Sequence, residues 1–311
     1  MLRYVISRIL QAIVTLWVIA TITFFLAKFI PGGPYDPEKP PPPAVLEEIE
    51  AYYGLNDPVY VQYLKMLGHL AQFDFGPSYR FLDQRVQTVI LRHFPVSAAL
   101  GVLALMLSLG VGVPLGVYAA LHQNRPGDWT TMGLAIFGVS VPNFVLGTLL
   151  LYVFVHELGW AEIGVVEGPS LADLALPAIT LAGFSLAFTV RLTRASMIEV
   201  LRNDFVRTAV AKGLTRRRVV WRHGFRNAML PVLTYLGPLA AALLTGSFVV
   251  EHIFHIPGLG AFFVQSLQDD PPAILGVAVF YSALLIGFNL VIDLLYGLAD
   301  PRIALGGSAE R

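Results

Sequence analysis

Six stretches of the chain lack Asp, Glu, Lys and Arg for about the length of a membrane-spanning helix. A span needs roughly 20 mostly apolar residues to cross the hydrocarbon layer. The stretches lie between Arg8 and Lys28, Arg92 and Arg125, Asp128 and Glu157, Asp173 and Arg191, Arg226 and Glu251, and Asp270 and Asp293. They predict an all-α polytopic membrane protein with six transmembrane helices, of which the second begins after Pro95.

The composition separates this prediction from the alternative of buried helices in a large soluble α protein. Such a core needs amphipathic helices around it, each with one polar face. Hydrophobic residues make up 56% of the chain, charged residues 14%, and the mean hydropathy is +0.66. Because little polar sequence remains to cover the apolar helices, we expect their surface to face lipid.

The first apolar run has cationic residues before it, as a signal peptide does. It is longer than a signal peptide's apolar region, and it ends in Lys28-Phe29-Ile30-Pro31-Gly32-Gly33 rather than in a small-residue cleavage site. We therefore predict an uncleaved membrane anchor.

Charge asymmetry predicts which segments face the cytoplasm, because cationic segments resist translocation. Residues 195–229 contain eight Lys or Arg and two Asp or Glu, whereas residues 31–92 contain five and eight. The sequence thus predicts a cytoplasmic loop at 195–229 and an external segment at 31–92. With six spans, both termini are then cytoplasmic.

These assignments divide the chain into three parts. The first, 1–30, is the N-terminal segment with transmembrane helix 1. The second, 31–92, is the external segment. The third, 93–311, is the core of transmembrane helices 2–6, which includes the cytoplasmic loop 195–229.

The external segment opens with a turn-rich run whose four consecutive prolines, 40–43, exclude a helix there. Apolar spacing then predicts two short helices, from Ala44 to about Tyr53 and from Pro58 to about Leu70, with Gly54 ending the first. Five tyrosines are candidates for a ligand patch or for anchors at the membrane interface, and anchoring is the favoured interpretation. They are Tyr52, Tyr53, Tyr60, Tyr63 and Tyr79.

Motifs for catalysis are absent from the sequence. There is no cysteine, and no GxxxxGK[ST], HExxH or GxSxG pattern occurs. The net charge is zero, so no global basic field attracts nucleic acid. His252 and His255 have only Glu251 as a possible third metal ligand. We therefore predict that the chain is not an enzyme and holds no metal or cofactor.

The cationic loop contains a short predicted helix. Asn203 or Asp204 is suited to its N-terminus, and Gly213 to the left-handed residue that ends it. About nine residues make a helix about 13 Å long, whose small side chains suit entry into a groove. Thr215 then begins a second helix, whose arginines can face phospholipid head groups or acidic protein.

Several motifs occur in one order along almost the whole chain. The cationic loop contains RTAVAKGL at 207–214 and RNAMLP at 226–231. YGLNDP at 53–58 and DFGPSY at 74–79 precede it, and PGLG at 257–260 follows. In this combination the chain resembles the permease subunits of binding-protein-dependent ABC importers, most closely the B-type subunit of the dipeptide/oligopeptide (peptide/nickel) permease family.

The resemblance implies an assembly. It implies a type I ABC importer permease fold, paired as a heterodimer with a second homologous permease subunit. Two cytoplasmic ATPase subunits, which carry ATP and Mg, and an external substrate-binding protein would complete the transporter. Its place would be the prokaryotic cytoplasmic (inner) membrane, in contact with lipid and without nucleic acid, and it would work by alternating access.

The resemblance also implies which residues couple the permease to the ATPase. The chain departs from the broad family pattern in having Arg-Thr-Ala in place of Glu-Ala-Ala, as the peptide subgroup does. Phe73 stands where a related external motif has glycine. The implied coupling residues are Phe205, Arg207, Thr208, Ala209, Ala211, Lys212, Gly213 and Leu214.

Other functions stay open on the sequence. The resemblance favours di- or oligopeptides as cargo, but nickel, glutathione and oligosaccharides are carried by similar permeases. A membrane channel or scaffold that needs no nucleotide is the alternative from another class, and a copurifying ATPase distinguishes the two. An intramembrane enzyme is disfavoured by the missing catalytic groups.

Overall fold

The computed structural model describes residues 2–29, 43–81, 84–160, 168–267 and 270–299. These ranges are mostly helical, with one isolated bridge between Pro77 and Arg85. The helices are α1 (Leu2–Phe29), α2 (Pro43–Tyr53), α3 (Val59–Leu70), α4 (Val86–Leu121), α5 (Pro126–Ser140), α6 (Asn143–Leu151), α7 (Ala175–Leu201), α8 (Asp204–Ala211), α9 (Arg216–Arg218), α10 (Arg226–Leu244), α11 (Phe248–Ile253), α12 (Leu259–Ser266) and α13 (Pro271–Ala299). Two π-helical segments, Tyr152–Glu157 and Val219–Phe225, continue α6 and α9.

Five helical runs of the described ranges are long and apolar enough to cross a membrane, and a bent pair makes six if it counts as one span. The pair is α5 with α6 and its π-helical continuation. The other five are Val5–Lys28, Val86–Leu121, Ala175–Leu201, Arg216–Ile253 and Pro271–Val291. The prediction of an all-α polytopic membrane protein is confirmed.

The third predicted span is broken rather than continuous. Its two halves meet at a bend of 101°. Val141 at the break is extended, with φ −87° and ψ 120°, and Pro142 follows it. Because the ring of a proline disfavours helical geometry in the residue before it, this sequence ends α5 and starts α6 in a new direction.

The second predicted span also differs, because α4 begins at Val86 instead of after Pro95. Val86, Val89 and Ile90 are buried in a cluster with Leu259 and Phe262. Burial of these side chains stabilises the added turns of α4. This stabilisation offsets the loss of the one backbone hydrogen bond that Pro95, which has no N–H, cannot donate.

The two short helices predicted in the external segment are confirmed as α2 and α3. Gly54 follows α2 with φ +60°, and Pro58 directly precedes α3. Pro43, the last proline of the run, is the first residue of α2, where its missing N–H costs no hydrogen bond. The rest of the turn-rich run, 31–42, lies outside the described residues.

By backbone proximity the chain forms two compact units, one of 1–97 with 257–311 and one of 98–256. In the first unit α1 packs along α13. In the second unit α7 packs against α5, α6 and α10. A side chain at Gly116 on α4 would bring its Cβ within 2.6 Å of Thr193 Cβ, so glycine permits close packing of α4 on α7. The three-part division made from the sequence stays a prediction.

Candidate functional site

The predicted short helix of the cationic loop is present as α8. Only Arg202 and Asn203 separate it from the end of α7. Asn203 occupies the N-cap position with an extended backbone, φ −68° and ψ 152°, but its side chain makes no capping hydrogen bond. Asp204 lies in the first turn of α8, where a carboxylate is favoured by the helix dipole.

The C-terminus of α8 is closed by two backbone hydrogen bonds around a left-handed glycine. Gly213 has φ +79°, as its position predicted. Its N–H donates to Val210 O at 2.9 Å, and the N–H of Leu214 donates to Ala209 O at 3.3 Å. This pairing is the Schellman motif, and it sets the direction in which the chain leaves the helix.

One face of α8 packs onto its own chain. Val206 and Ala209 are each 6% exposed and form a small cluster with Val219, to which Leu201 and Leu214 add contacts. The spacing of three residues places Val206 and Ala209 on the same side of the helix. Ala209 and Leu214, predicted as coupling residues, therefore lie on the inner side of the loop.

The opposite side of α8 is open. Side chains exposed there and just after the helix are Phe205, Arg207, Thr208, Ala211 and Lys212. Phe205 is 43% exposed although it is aromatic, and Arg207 lies 3.4 Å from Asp204 across one turn. The eight residues span about 12 Å, which gives a short peg with an apolar and cationic outer surface.

The helix that begins at Arg216 leads into a π-helical segment that packs against α8. Thr215 is its N-cap residue, as predicted. The π-helical segment Val219–Phe225 then carries Val219 toward α8 and Val220 into a second cluster with Met197 on α7. Sequence reasoning missed Val206 and Val219 as positioning residues, although their apolar side chains in a cationic loop are a readable signal of burial.

A separate cavity of about 190 Å³ is lined by residues of α1, of 52–79 and of α13. Three of the five tyrosines line it, and their rings meet: Tyr52 and Tyr53 have centroids 4.9 Å apart, and Tyr53 and Tyr79 have centroids 5.4 Å apart. The Tyr53 hydroxyl donates to Pro77 O at 2.8 Å, and burial raises the pKa of Tyr53. Tyr60 is 68% exposed, so the five do not form one patch.

Two carboxyl groups beside that cavity have opposite pKa shifts. Burial raises the pKa of Asp270, although Ser78 and backbone N–H groups donate to its carboxylate. Burial also acts to raise the pKa of Asp74, but the Gly76 N–H and other donors outweigh it, so that pKa is lowered. No group of three His, Asp or Glu side chains within the described ranges is arranged to hold a metal ion.

Comparison with known proteins places the chain in a family. Residues 112–305 match the model of the binding-protein-dependent transport system inner membrane component, and residues 1–101 match that of its N-terminal part. The chain is 44% identical over 304 residues to the oligopeptide transport system permease protein OppB of Salmonella typhimurium, covering 97% of this chain and 99% of that protein. It is 45% identical over 306 residues to the dipeptide transport system permease protein DppB of Bacillus subtilis, covering 98% and 99%.

A solved structure supports the fold alone. The crystal structure of an amino acid ABC transporter with histidines is similar at a TM-score of 0.51 and 19% identity, over 67% of this chain and 93% of that one. The family models match most of the sequence, and the similarity to OppB and DppB extends over nearly the whole chain. These two findings settle the assignment. The chain belongs to the family of binding-protein-dependent transport system inner membrane components and is a multi-pass permease subunit, not an enzyme, of an ABC importer whose ATP is bound by partner ATPases.

Proposed function

We propose that this permease subunit forms half of a transmembrane path for di- or oligopeptides. The other half would come from a second homologous permease subunit in a heterodimer, with two ATPase subunits inside and a substrate-binding protein outside. The names of the relatives support this cargo, since OppB and DppB are permeases of oligopeptide and dipeptide systems. Their similarity extends over 97% or more of the chain.

The coupling contact is the outer side of α8. Phe205, Arg207, Thr208, Ala211 and Lys212 enter a groove of an ATPase subunit, while Ala209, Gly213 and Leu214 hold the helix in position from within. The observation that carries this assignment is the division of α8 into a packed side and an open side. A short helix fixed on one side and at its C-terminus transmits force without melting.

Motion of α8 reaches the membrane through α7. The two-residue connection between them leaves little slack, and α7 packs against α5, α6 and α10. Closure of the ATPases would draw α8 with them and tilt α7, so that the path opens to the outside. In this proposal residues 195–229 and both termini are cytoplasmic and 31–92 is external, which the excess of Lys and Arg in 195–229 supports.

A pair of substitutions in α8 tests the coupling contact. Ala211→Glu adds a carboxylate to the open side, where it stays solvated in the isolated permease but is buried in an ATPase groove. We expect normal thermal unfolding of the permease subunit, loss of ATPase copurification and loss of peptide uptake. Ala51→Glu, the same change at an exposed residue of α2, is the matched control and should retain both.

Retention of the ATPase and normal uptake by Ala211→Glu would exclude the contact.

Cargo is tested separately in proteoliposomes with the complete transporter, by comparing uptake of a labelled tripeptide, Ni²⁺ and glutathione. Uptake of the tripeptide should depend on ATP and on the binding protein. Uptake that continues without ATP and without the binding protein would favour a membrane channel that needs no nucleotide.

A further inference from the structure

An apolar groove of about 350 Å³ lies between α8 and the helices beside it, within the unit 98–256. Seven of its eight lining residues are Leu or Val, and the eighth is Arg216. Leu121 at the end of α4 and Val210 on α8 lie on its wall, and Val210 is 57% exposed. The groove therefore has the character of a hydrocarbon binding site with one cation beside it.

Arg216 is the first of three consecutive arginines. Arg216, Arg217 and Arg218 are exposed, and none forms a salt bridge with any residue in the described part of the chain. Arg222 and Arg226 follow Arg218 at four-residue intervals and are also exposed. The patch carries positive charge that the described protein does not neutralise, so it attracts anions.

Leu121 at the end of α4 and Leu201 at the end of α7 line the groove. Both helices are long and apolar enough to cross a membrane, so the groove lies beside the ends of two spans. On α10, Leu230 is 60% exposed and Leu233 is 50% exposed. Arg222 precedes Leu230 by about 12 Å along the helix. Trp221, which is 53% exposed, directly precedes Arg222 in the same π-helical segment, and tryptophan is favoured at a membrane interface.

We propose that the groove and the arginine patch together bind one anionic phospholipid of the cytoplasmic leaflet. Its phosphate lies on Arg216, Arg217 and Arg218, and an acyl chain enters the groove beneath α8. This inference rests on the proposed cytoplasmic position of 195–229. Val206 and Val219 line the groove and also belong to the apolar cluster on which α8 packs. A lipid bound in the groove would therefore help to hold the coupling helix in position.

The test is lipid retention by the complete transporter, measured by native mass spectrometry after titration with phosphatidylglycerol or phosphatidylcholine. We expect one phosphatidylglycerol per permease subunit, bound in preference to phosphatidylcholine. The triple variant Arg216→Gln, Arg217→Gln, Arg218→Gln should bind it about a hundredfold more weakly, at about fivefold per arginine. Val210→Glu, which places a carboxylate at the groove wall, should also weaken binding.

Arg207→Gln is the matched control, because it removes one arginine from α8 on the side away from the groove. It should retain the lipid whatever it does to ATPase binding, which separates this inference from the coupling proposal. Unchanged phosphatidylglycerol binding in the triple variant would overturn the site. If the triple variant loses the ATPase but still binds lipid, the arginines contact an acidic protein surface instead. If Val210→Glu binds lipid fully, the acyl chain does not enter the groove.

Discussion

Arg194 on α7 holds Asp128 on α5 through two hydrogen bonds in a fork. Nε of Arg194 lies 2.6 Å from Oδ1, and Nη2 lies 2.7 Å from Oδ2. Asp128 is 1% exposed, and its Oδ2 also accepts the N–H of Asn124 at 2.9 Å. The pair joins the turn between α4 and α5 to α7, about two turns before α7 leads into α8.

Breaking this ion pair should destabilise the permease subunit. Asp128→Asn leaves the guanidinium of Arg194 without a counter-ion, and because the Arg194 side chain is only 24% exposed we expect a loss of about 3 kcal/mol. Thermal unfolding of the purified subunit measures it. The double variant Asp128→Asn, Arg194→Gln removes the unpaired charge and should recover part of the loss. Equal unfolding temperatures for wild type and Asp128→Asn would contradict the prediction.

The pairing of Asp128 with Arg194 could not be predicted from the sequence. Asp128 marked only the edge of an apolar stretch, because its partner is distant in sequence and pairing depends on how α5 and α7 pack. The end of α8, in contrast, could be predicted, because glycine at 213 is suited to the left-handed residue that ends a helix, and this is a local property. The open and packed sides of α8 were not separable from the sequence, since Thr208, Ala209 and Ala211 are all small.

Substitutions at Gly213 should act through backbone conformation alone. A Cβ added there meets no atom within 4 Å, so φ of +79° is the sole source of strain. Gly213→Val should cost about 1 to 3 kcal/mol locally and redirect α8, whereas Gly213→Asn should cost less because asparagine tolerates this region. Peptide uptake and ATPase retention should fall in the order Gly, Asn, Val, and equal losses for both variants would point to a side-chain contact instead.

Asp270 should make the first unit more stable in acid. Its pKa is raised from the ordinary 3.8 by burial, so the folded state binds the proton more tightly than the unfolded state does. The stabilising contribution of the protonated group is therefore full below the unfolded pKa and is lost as pH rises through the folded pKa. Asp270→Asn imitates the neutral carboxyl and should remove this dependence.

The measurement is the unfolding temperature of wild type and Asp270→Asn as a function of pH from acid to neutral. Their difference should be smallest in acid and grow in favour of the variant above the folded pKa. Asp74→Asn provides the opposite sign, because the pKa of Asp74 is lowered and its contribution is lost as pH falls. A constant difference between wild type and Asp270→Asn across the range would refute the linkage.

The proposed orientation of the chain rests on its charge distribution and can be tested with single cysteines, since the sequence has none of its own. Tyr60 and Arg217 are both exposed, so Tyr60→Cys and Arg217→Cys present comparable thiols in 31–92 and in 195–229. The concentration of arginines in 195–229 opposes translocation. An impermeant maleimide should label Tyr60→Cys in intact cells and Arg217→Cys only after permeabilisation. Labelling of both after permeabilisation shows that each thiol is reactive, and labelling of Arg217→Cys in intact cells would reverse the topology.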